Sequence, residues 1–278
     1  VLSEESVKGQ FGVTNPNYNN SDKLVYATAL ANETDRLTNF GYKTNKAGFE
    51  IGVEYEYLDD LNLGLSTSSF YENIETSSSA SARQKKQKGN YWDSFVKMVF
   101  DYDKRNQKFQ TSDGFRSTYS INLPVISDTN TITNSYRYKV FKELYENNVS
   151  SINILLKSAV SPDSDVKLSE RLYIPSRDLR GFESGKIGPK DGNDFVGGNF
   201  ATTINFTTTV PQLLQNVENM DFVVFFDAAN LWGVDYSSAL NDNGEIRSSV
   251  GLGIDWMTVI GPMNFSLAQP LTKSSSDI

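Results

Sequence analysis

The stretch Phe49–Tyr57 reads Phe-Glu-Ile-Gly-Val-Glu-Tyr-Glu-Tyr, with a large apolar or aromatic residue at every odd position and an acidic residue or glycine at every even position. A period of two predicts a β-strand with one apolar and one polar face, because successive side chains of a strand point to opposite sides. The apolar face would pack into the core of a soluble sandwich, or it would contact lipid in a membrane barrel whose lumen receives the glutamates. This strand alone leaves both alternatives open.

Similar alternation recurs along most of the chain, which predicts an all-β fold of about twelve strands. Many of the segments approach the roughly nine to eleven residues that a tilted membrane strand needs, whereas strands of soluble proteins average about five or six. The segments are Val7–Thr14, Leu24–Asn32, Ala47–Leu58, Leu61–Tyr71, Phe95–Asp103, Gly114–Leu123, Ser135–Phe141, Ser151–Val160, Asn199–Thr209, Asp221–Leu231, Ile246–Trp256 and Asn264–Ala268. Their lengths favour a transmembrane antiparallel β-barrel.

Composition removes several classes of function. The 278 residues include no cysteine and no histidine, which excludes disulfides, His or Cys metal sites and Ser-His or Cys-His nucleophile pairs. The sequence therefore indicates a protein that is not an enzyme and needs no cofactor. Acidic residues outnumber basic ones by 34 to 26, and the resulting net charge of -8 disfavours nucleic acid as a partner.

Hydropathy gives little guidance for a chain of this kind. The sequence has no apolar run of about eighteen residues, so a helical membrane span is excluded, and its first residues lack the regions of a signal peptide. The mean hydropathy of -0.42 is low for a membrane protein. A barrel, however, presents only every second residue to lipid and keeps a wet lumen.

The connections between predicted strands differ in length. Those from Leu58 to Leu61 and from Pro124 to Asn134 are short, whereas those from Asn73 to Tyr91 and from Pro162 to Gly198 are long. Short turns on one rim and long loops on the other are typical of membrane barrels. The basic run Arg83–Lys88 in the first long loop would be either a solvated charge cluster or a contact with anionic lipid headgroups.

The second long connection contains Leu179-Arg180-Gly181-Phe182, followed by Gly188–Asp191 and by Gly197-Gly198-Asn199. Further matches follow in order: Phe225–Ala229, Ile246–Gly251, Asp255–Met257 and Gly261–Pro270. The series resembles the C-terminal barrel region of the BamA family of outer-membrane insertases, whose sixth loop carries Val-Arg-Gly-Phe. A lone Arg-Gly-Phe would be weak support, because such a glycine turn is common in surface hairpins. The ordered series is hard to produce by chance.

The resemblance is weaker from Val7 onward, although Asp101–Asn106 and Thr111–Phe115 fit a hairpin of the family. It implies that residues 1–278 form one partial barrel domain covering roughly the fourth to fifteenth of sixteen strands. The POTRA domains and the final strand of the family would then be absent from this chain. We accordingly expect the strands near Val7 and Phe265 to be edges that do not pair with each other, because they would pair with strands outside the chain.

The resemblance also implies a site. In BamA-like proteins the loop at about 162–198 folds into the barrel, and its arginine packs against an aromatic and an acidic residue that correspond to Phe225 and Asp227. Strand parity supports this independently, because it places Val223, Phe225 and Asp227 on the lumen face. An inward carboxylate needs a partner, and Arg180 is a fork-shaped donor.

One position departs from the family. Relatives offer a lumen glutamate where this chain has Thr207, so the cluster should be less acidic here. An alternative is that Arg180 only locks the loop for stability, with Gly181 needed for positive φ or close backbone approach.

The implied function is that of an insertase of the bacterial outer membrane, which opens laterally and templates incoming strands on an exposed edge without covalent chemistry. The implied partners are the lipoproteins of the BAM complex, unfolded outer-membrane proteins, periplasmic chaperones and outer-membrane lipid. A secretion pore or autotransporter-assembly barrel of the same superfamily is the main alternative, and a passive porin, which would lack the Arg-Gly-Phe loop, is another. Asp255-Trp256-Met257 and Ala268-Gln269-Pro270 favour the insertase.

Overall fold

The computed structural model describes residues 6–210, 220–240, 244–259 and 261–278. Twelve of its strands form one antiparallel sheet, and the two short strands β9 and β10 form a separate hairpin. The strands are β1 Ser6–Asn15, β2 Leu24–Arg36, β3 Tyr42–Leu58, β4 Leu61–Thr76, β5 Gly89–Asp103, β6 Gly114–Ser127, β7 Ile132–Tyr145, β8 Asn148–Val160, β9 Lys190–Asp191, β10 Asp194–Phe195, β11 Phe200–Val210, β12 Met220–Trp232, β13 Arg247–Thr258 and β14 Gly261–Thr272.

In the described ranges, helical structure is confined to the connections. The described α-helices are α1, Leu37–Phe40, and α2, Ala82–Lys86, with single 3-10 turns at Tyr18–Asn20, Leu168–Glu170 and Ser238–Leu240. Among the residues described, no helix has the length and apolarity to cross a bilayer.

Each long strand pairs with its neighbours in chain order, and β8 pairs with β11 across the excursion that holds the short hairpin. All twelve predicted strands are therefore confirmed, and most run beyond their predicted ends. Within the described residues β1 and β14 are the two ends of the sheet and do not pair with each other, as expected from the sequence.

The two faces of the sheet differ in chemistry. On the outer face apolar side chains are widely exposed, for example Phe11 at 73% and Leu267 at 79%. Phe49 and Ile51 of β3 are both 48% exposed on this face. The opposite face of β3 carries Glu50, whose carboxylate accepts a hydrogen bond of 2.8 Å from the Tyr26 hydroxyl. An apolar outer belt around a polar inner face is the pattern of a transmembrane β-barrel.

The connections define two rims. One, the loop rim, carries residues 37–41, 77–88, 128–131, 161–199, 233–240 and 244–246, and the other, the turn rim, carries 16–23, 59–60, 104–113, 146–147 and 259. The prediction that short connections share one rim was wrong for the segment Pro124–Asn134. Because antiparallel strands return the chain to alternate rims, this turn lies beside the long loops, while the longer connection 104–113 lies on the turn rim.

Buried apolar side chains are concentrated beneath the long connection 161–199, which we call the lumen loop. One cluster joins its Leu168 and Phe195 to Phe40 and Tyr42 at the start of β3. A second cluster, at the opposite part of the sheet, joins loop residues to β11 and β12: Ile174, Leu179, Phe182, Ile187, Ala201, Ala229 and Leu231. The core thus lies between loop and sheet, and it holds the loop across the concave face.

Candidate functional site

The motif Leu179-Arg180-Gly181-Phe182 lies in the second cluster. The side chains of Leu179 and Phe182 are buried there and anchor the loop on the inner face of β11 and β12. Gly181 has a φ of 88°, a left-handed conformation that favours glycine. A Cβ at this position would also stand 3.0 Å from the Ala268 Cβ of β14, so both backbone conformation and close approach require glycine here.

Arg180 forms a two-pronged ion pair with Asp227 of β12. Its Nε and one terminal nitrogen each donate to a different carboxylate oxygen at 2.7 Å, and its backbone N–H donates at 3.1 Å. The guanidinium carbon lies 3.4 Å from the centroid of the Phe225 ring. The Asp227 side chain is 0% exposed and that of Arg180 is 22% exposed, so the carboxylate is dry while the guanidinium meets the lumen. The three residues that the sequence singled out are therefore in contact.

Two further polar groups complete the surroundings. Asn205 of β11 donates to Asp227 at 2.9 Å and to the Asp178 carbonyl oxygen at 2.9 Å. Thr207 receives only a long hydrogen bond of 3.4 Å from Arg180. Sequence reasoning did not identify Asn205, although its parity on β11, two residues before Thr207, places it on the lumen face.

We call the contact of Arg180 with Asp227 and Phe225 the clamp. Small residues of β13 lie behind it. Gly251 lies opposite Phe225, and a Cβ on Gly251 would overlap the aromatic ring. Ser249 of β13, which pairs with Asp227 of β12, donates from its hydroxyl to the Arg180 carbonyl oxygen at 2.6 Å. The ring that supports Arg180 therefore rests directly on the β13 backbone.

A second buried ion cluster holds the other side of the lumen loop. The Nζ atom of Lys167 lies 2.9 Å from a carboxylate oxygen of Glu72 on β4, 2.5 Å from one of Asp93 on β5 and 3.5 Å from one of Glu170. Burial by itself lowers the pKa of Lys167, but the nearby carboxylates of Glu170 and Glu72 outweigh this effect and raise the pKa above its ordinary value. Sequence reasoning did not identify this cluster.

A third attachment involves Asp277, which follows β14 and is fully buried. It accepts hydrogen bonds from Arg247 Nε at 2.9 Å, from the Gly188 backbone N–H at 3.2 Å and from the Ser274 backbone N–H at 2.6 Å. The lumen loop is thus tied to β13 and to the segment after β14, as well as to β12.

The arrangement is suited to holding a loop in place. In the ranges that the structure describes, no group of three or more acidic side chains could hold a metal ion. The contacts of Arg180 are charge-assisted hydrogen bonds and a ring contact. They hold the lumen loop against β12 through non-covalent interactions.

Comparison with curated proteins finds relatives of this chain. Three of them are called "Outer membrane protein assembly factor BamA". The protein from Neorickettsia risticii is 24% identical over 243 residues, covering 85% of this chain and 33% of the relative. Those from Neisseria meningitidis and Nitratidesulfovibrio vulgaris are 29% and 32% identical over 126 and 117 residues, covering 36% and 39% of this chain and 16% and 14% of the relatives. The chain thus spans a third or less of each.

Solved structures share the fold. BamA from Haemophilus ducreyi lacking POTRA domains 1-3 superposes with a TM-score of 0.87 at 18% identity, over 98% of this chain and 60% of that one. CdiB from Acinetobacter baumannii gives 0.54 at 8% identity, over 99% and 55%. The family model described as "Omp85 superfamily domain" matches residues 2–278. With nearly its whole length matched by that model and its strands arranged as in a BamA barrel, the chain belongs to the Omp85 superfamily of outer-membrane β-barrels.

Proposed function

We propose that this chain is the membrane barrel of an outer-membrane protein assembly factor, which folds barrel proteins and inserts them into the bacterial outer membrane. The observation that carries the proposal is the clamp of Arg180 on Asp227 and Phe225. It holds the lumen loop across a barrel whose curated relatives are named as assembly factors. The motif and its lumen partners would set the loop position that assembly requires.

The proposed mechanism needs no covalent chemistry. Lateral opening of the barrel would expose the backbone groups of a strand edge, and an incoming strand would pair with that edge by β-augmentation. Backbone groups are costly to leave unpaired in lipid, so pairing at the edge and burial of apolar side chains supply the free energy. The apolar outer face described above would keep the barrel in the membrane while the edge is occupied.

The partners in this proposal are lipoproteins of the assembly complex, unfolded outer-membrane proteins, periplasmic chaperones and outer-membrane lipid. The basic run Arg83–Lys88 supports the lipid contact. Part of it forms α2 on the loop rim, where Arg83, Lys85 and Lys86 are exposed. Gln84 is buried and donates to the Phe40 carbonyl oxygen at 3.1 Å, which fixes the helix at the rim. Its basic side chains would face anionic headgroups.

The test is insertion of a small urea-unfolded outer-membrane barrel into liposomes that contain the full-length protein. We expect the substrate to convert to its folded form faster than in empty liposomes, with heat-modifiable gel mobility as the measure of folding. An Arg180→Ala variant should be slower than the parent. Arg116→Ala is the matched control, because Arg116 makes an equally two-pronged pair with Asp101 and the hydrogen bonds described for these two residues do not involve the lumen loop.

Other outcomes would identify other functions. Ion flux through the liposomes without faster folding of the substrate would indicate a passive pore. Transfer of a soluble polypeptide across the bilayer, again without faster barrel folding, would indicate a secretion barrel. Either result contradicts the proposed assembly function.

A further inference from the structure

We propose that the lumen contains a binding site for a carboxylate of a polypeptide in transit, in the cavity between the lumen loop and strands β7, β8 and β11. We call this space the cationic cavity. Its volume is about 500 Å³, and its charged lining consists of Arg137, Lys139, Arg177, Arg180 and one acid, Asp178. The proposal deepens the assembly function and rests on it for the origin of the polypeptide.

The charges of the cationic cavity do not balance. Arg180 is engaged by Asp227, which lies behind it. Arg137 donates to Asn153 at 3.1 Å and reaches Asp178 only at 3.4 Å. Even with Asp227 counted, two acids offset four cations here, in a chain whose net charge is -8.

Lys139 and Arg177 account for the surplus. Both side chains are exposed to the lumen, and among the described residues neither has an acidic partner within ion-pair distance. Like charges that are held close together repel, and an anion placed among them is attracted by all of them. The cationic cavity therefore carries a net positive charge that attracts an anion.

The donors fit a carboxylate. Lysine and arginine nitrogens form short charge-assisted hydrogen bonds to carboxylate oxygens. The neutral groups of the lining, Ser151, Asn153 and Thr207, can donate to a remaining oxygen. Because the cavity is open to lumen water, binding should be moderate and should weaken as salt rises.

A neighbouring space indicates that the carboxylate belongs to a polypeptide. A larger cavity of about 960 Å³ shares Lys139, Arg177 and Arg180 and extends to the connection 104–113 on the turn rim. Its wall includes apolar side chains such as Phe141 and Val149, and its charged lining adds Arg105 and Lys108 and the acids Asp221 and Asp255. A free inorganic anion would gain nothing from these groups, whereas an acidic residue flanked by apolar residues would contact both parts of the surface.

The test measures binding of a fluorescent capped peptide, one glutamate between apolar residues, to the full-length protein in detergent micelles by anisotropy. A peptide with glutamine at that position and inorganic phosphate are the comparison ligands. We expect the glutamate peptide to bind roughly tenfold more tightly than the glutamine peptide, an advantage that shrinks as salt is raised. Phosphate should displace it only at far higher concentration than unlabelled glutamate peptide.

Lys139→Gln should remove most of the glutamate advantage and leave the weaker binding of the glutamine peptide unchanged. Thr207→Glu should have a similar effect, because it places a carboxylate in the cavity. Lys142→Gln is the matched control, since Lys142 lies on the same strand, is largely exposed and pairs with Asp113 at 2.7 Å near the turn rim. It should bind both peptides like the parent.

Equal binding of the two peptides by the parent, or an unchanged preference in Lys139→Gln, would overturn the proposal. Displacement by phosphate and by unlabelled peptide at equal concentrations would also overturn it, in favour of a site for free anions. Folding of each variant is checked by heat-modifiable mobility. Selective peptide binding by a protein that fails in the liposome assay would contradict the assembly function and support the carboxylate site. Activity in the liposome assay without selective peptide binding would support the assembly function and contradict the carboxylate site.

Discussion

Replacing Arg180 by alanine should release the lumen loop from β12 without unfolding the barrel. The substitution removes the two guanidinium donors of Asp227 and the cation that lies on the Phe225 ring. Two donors remain, the backbone N–H of residue 180 and Asn205 Nδ2. The Asp227 carboxylate would keep half of its hydrogen bonds and lose its countercharge.

The magnitude follows from the burial of the pair. Removing one partner of a buried ion pair costs about 3–5 kcal/mol. The remaining donors and the lumen water that can reach the vacated space place the cost at the lower end, about 3 kcal/mol. This corresponds to a rise of roughly a hundredfold in the population of the undocked loop.

Thiol labelling can measure that population, because the sequence contains no native cysteine. Ser249→Cys introduces a single thiol at a fully buried position of β13, directly beneath the Arg180 carbonyl oxygen. When closing is faster than labelling, the rate of reaction with a membrane-impermeant maleimide is proportional to the open fraction. We expect Arg180→Ala to raise this rate roughly a hundredfold, and the control Arg116→Ala to leave it within about twofold.

Charge reversal separates the ion pair from the ring contact. In a protein that carries Arg180→Asp with Asp227→Arg, the opposite charges are restored but the guanidinium no longer extends from the loop over Phe225. We expect this variant to recover only a minor part of the loss. An Arg180→Ala labelling rate close to that of the parent would refute the reasoning, because it would mean that the apolar contacts alone hold the loop.

Three further outcomes are expected. In the folded protein a membrane-impermeant thiol reagent should label Glu54→Cys on the lumen face of β3 and spare Val53→Cys on the lipid face, and heavier labelling at position 53 would show the faces to be reversed. Burial raises the pKa of Glu170, so its ionised form destabilises the fold above that pKa and stability is gained as pH falls through it. Glu170→Gln should therefore preserve or raise the unfolding temperature at pH 7. Asp93→Asn should lower it by several degrees, because it removes a carboxylate that pairs with the buried Lys167. Equal losses in the two variants would contradict these different roles of Glu170 and Asp93. Asp277→Asn should remove the carboxylate charge that accepts from Arg247 Nε and from the Gly188 backbone N–H, and should speed tryptic cleavage of the lumen loop. An unchanged cleavage rate would show that this attachment does not hold the loop.

The strands were predictable because lipid imposes strict alternation on them. The ends of the strands were not predictable, because lipid no longer imposes alternation where the sheet extends beyond the apolar belt. β3 begins at Tyr42 rather than at the predicted Ala47. In this extension Tyr42 and Thr44 are buried beneath the lumen loop, while Lys43 and Asn45 occupy the outer face. A polar outer face carries no strand signal of the kind that Phe49–Tyr57 shows.

The clamp was only partly predictable. Arg180, Phe225 and Asp227 could be located because a charged residue in an apolar strand and a matching motif both mark them. Asn205 could not, since a neutral amide in a threonine-rich strand gives no such signal. The attachment of Lys167 was also hidden, because its partner Asp93 lies 74 residues away in sequence and nothing local relates the two.

The glycine beneath the Phe225 ring has a consequence for strand register. Sliding β13 by two residues keeps every side chain on its own face, so hydrophobic patterning alone would not oppose the shift. In one direction the slide brings Ser249 under Phe225, where its Cβ meets the space that the ring fills. In the other direction it brings Asp255 opposite Val223 and withdraws the Ser249 hydroxyl from the Arg180 carbonyl oxygen. Gly251 therefore opposes the slide in one direction, and Asp255 and the Ser249 hydroxyl oppose it in the other, so that the position of Arg180 depends on the alignment of these two strands.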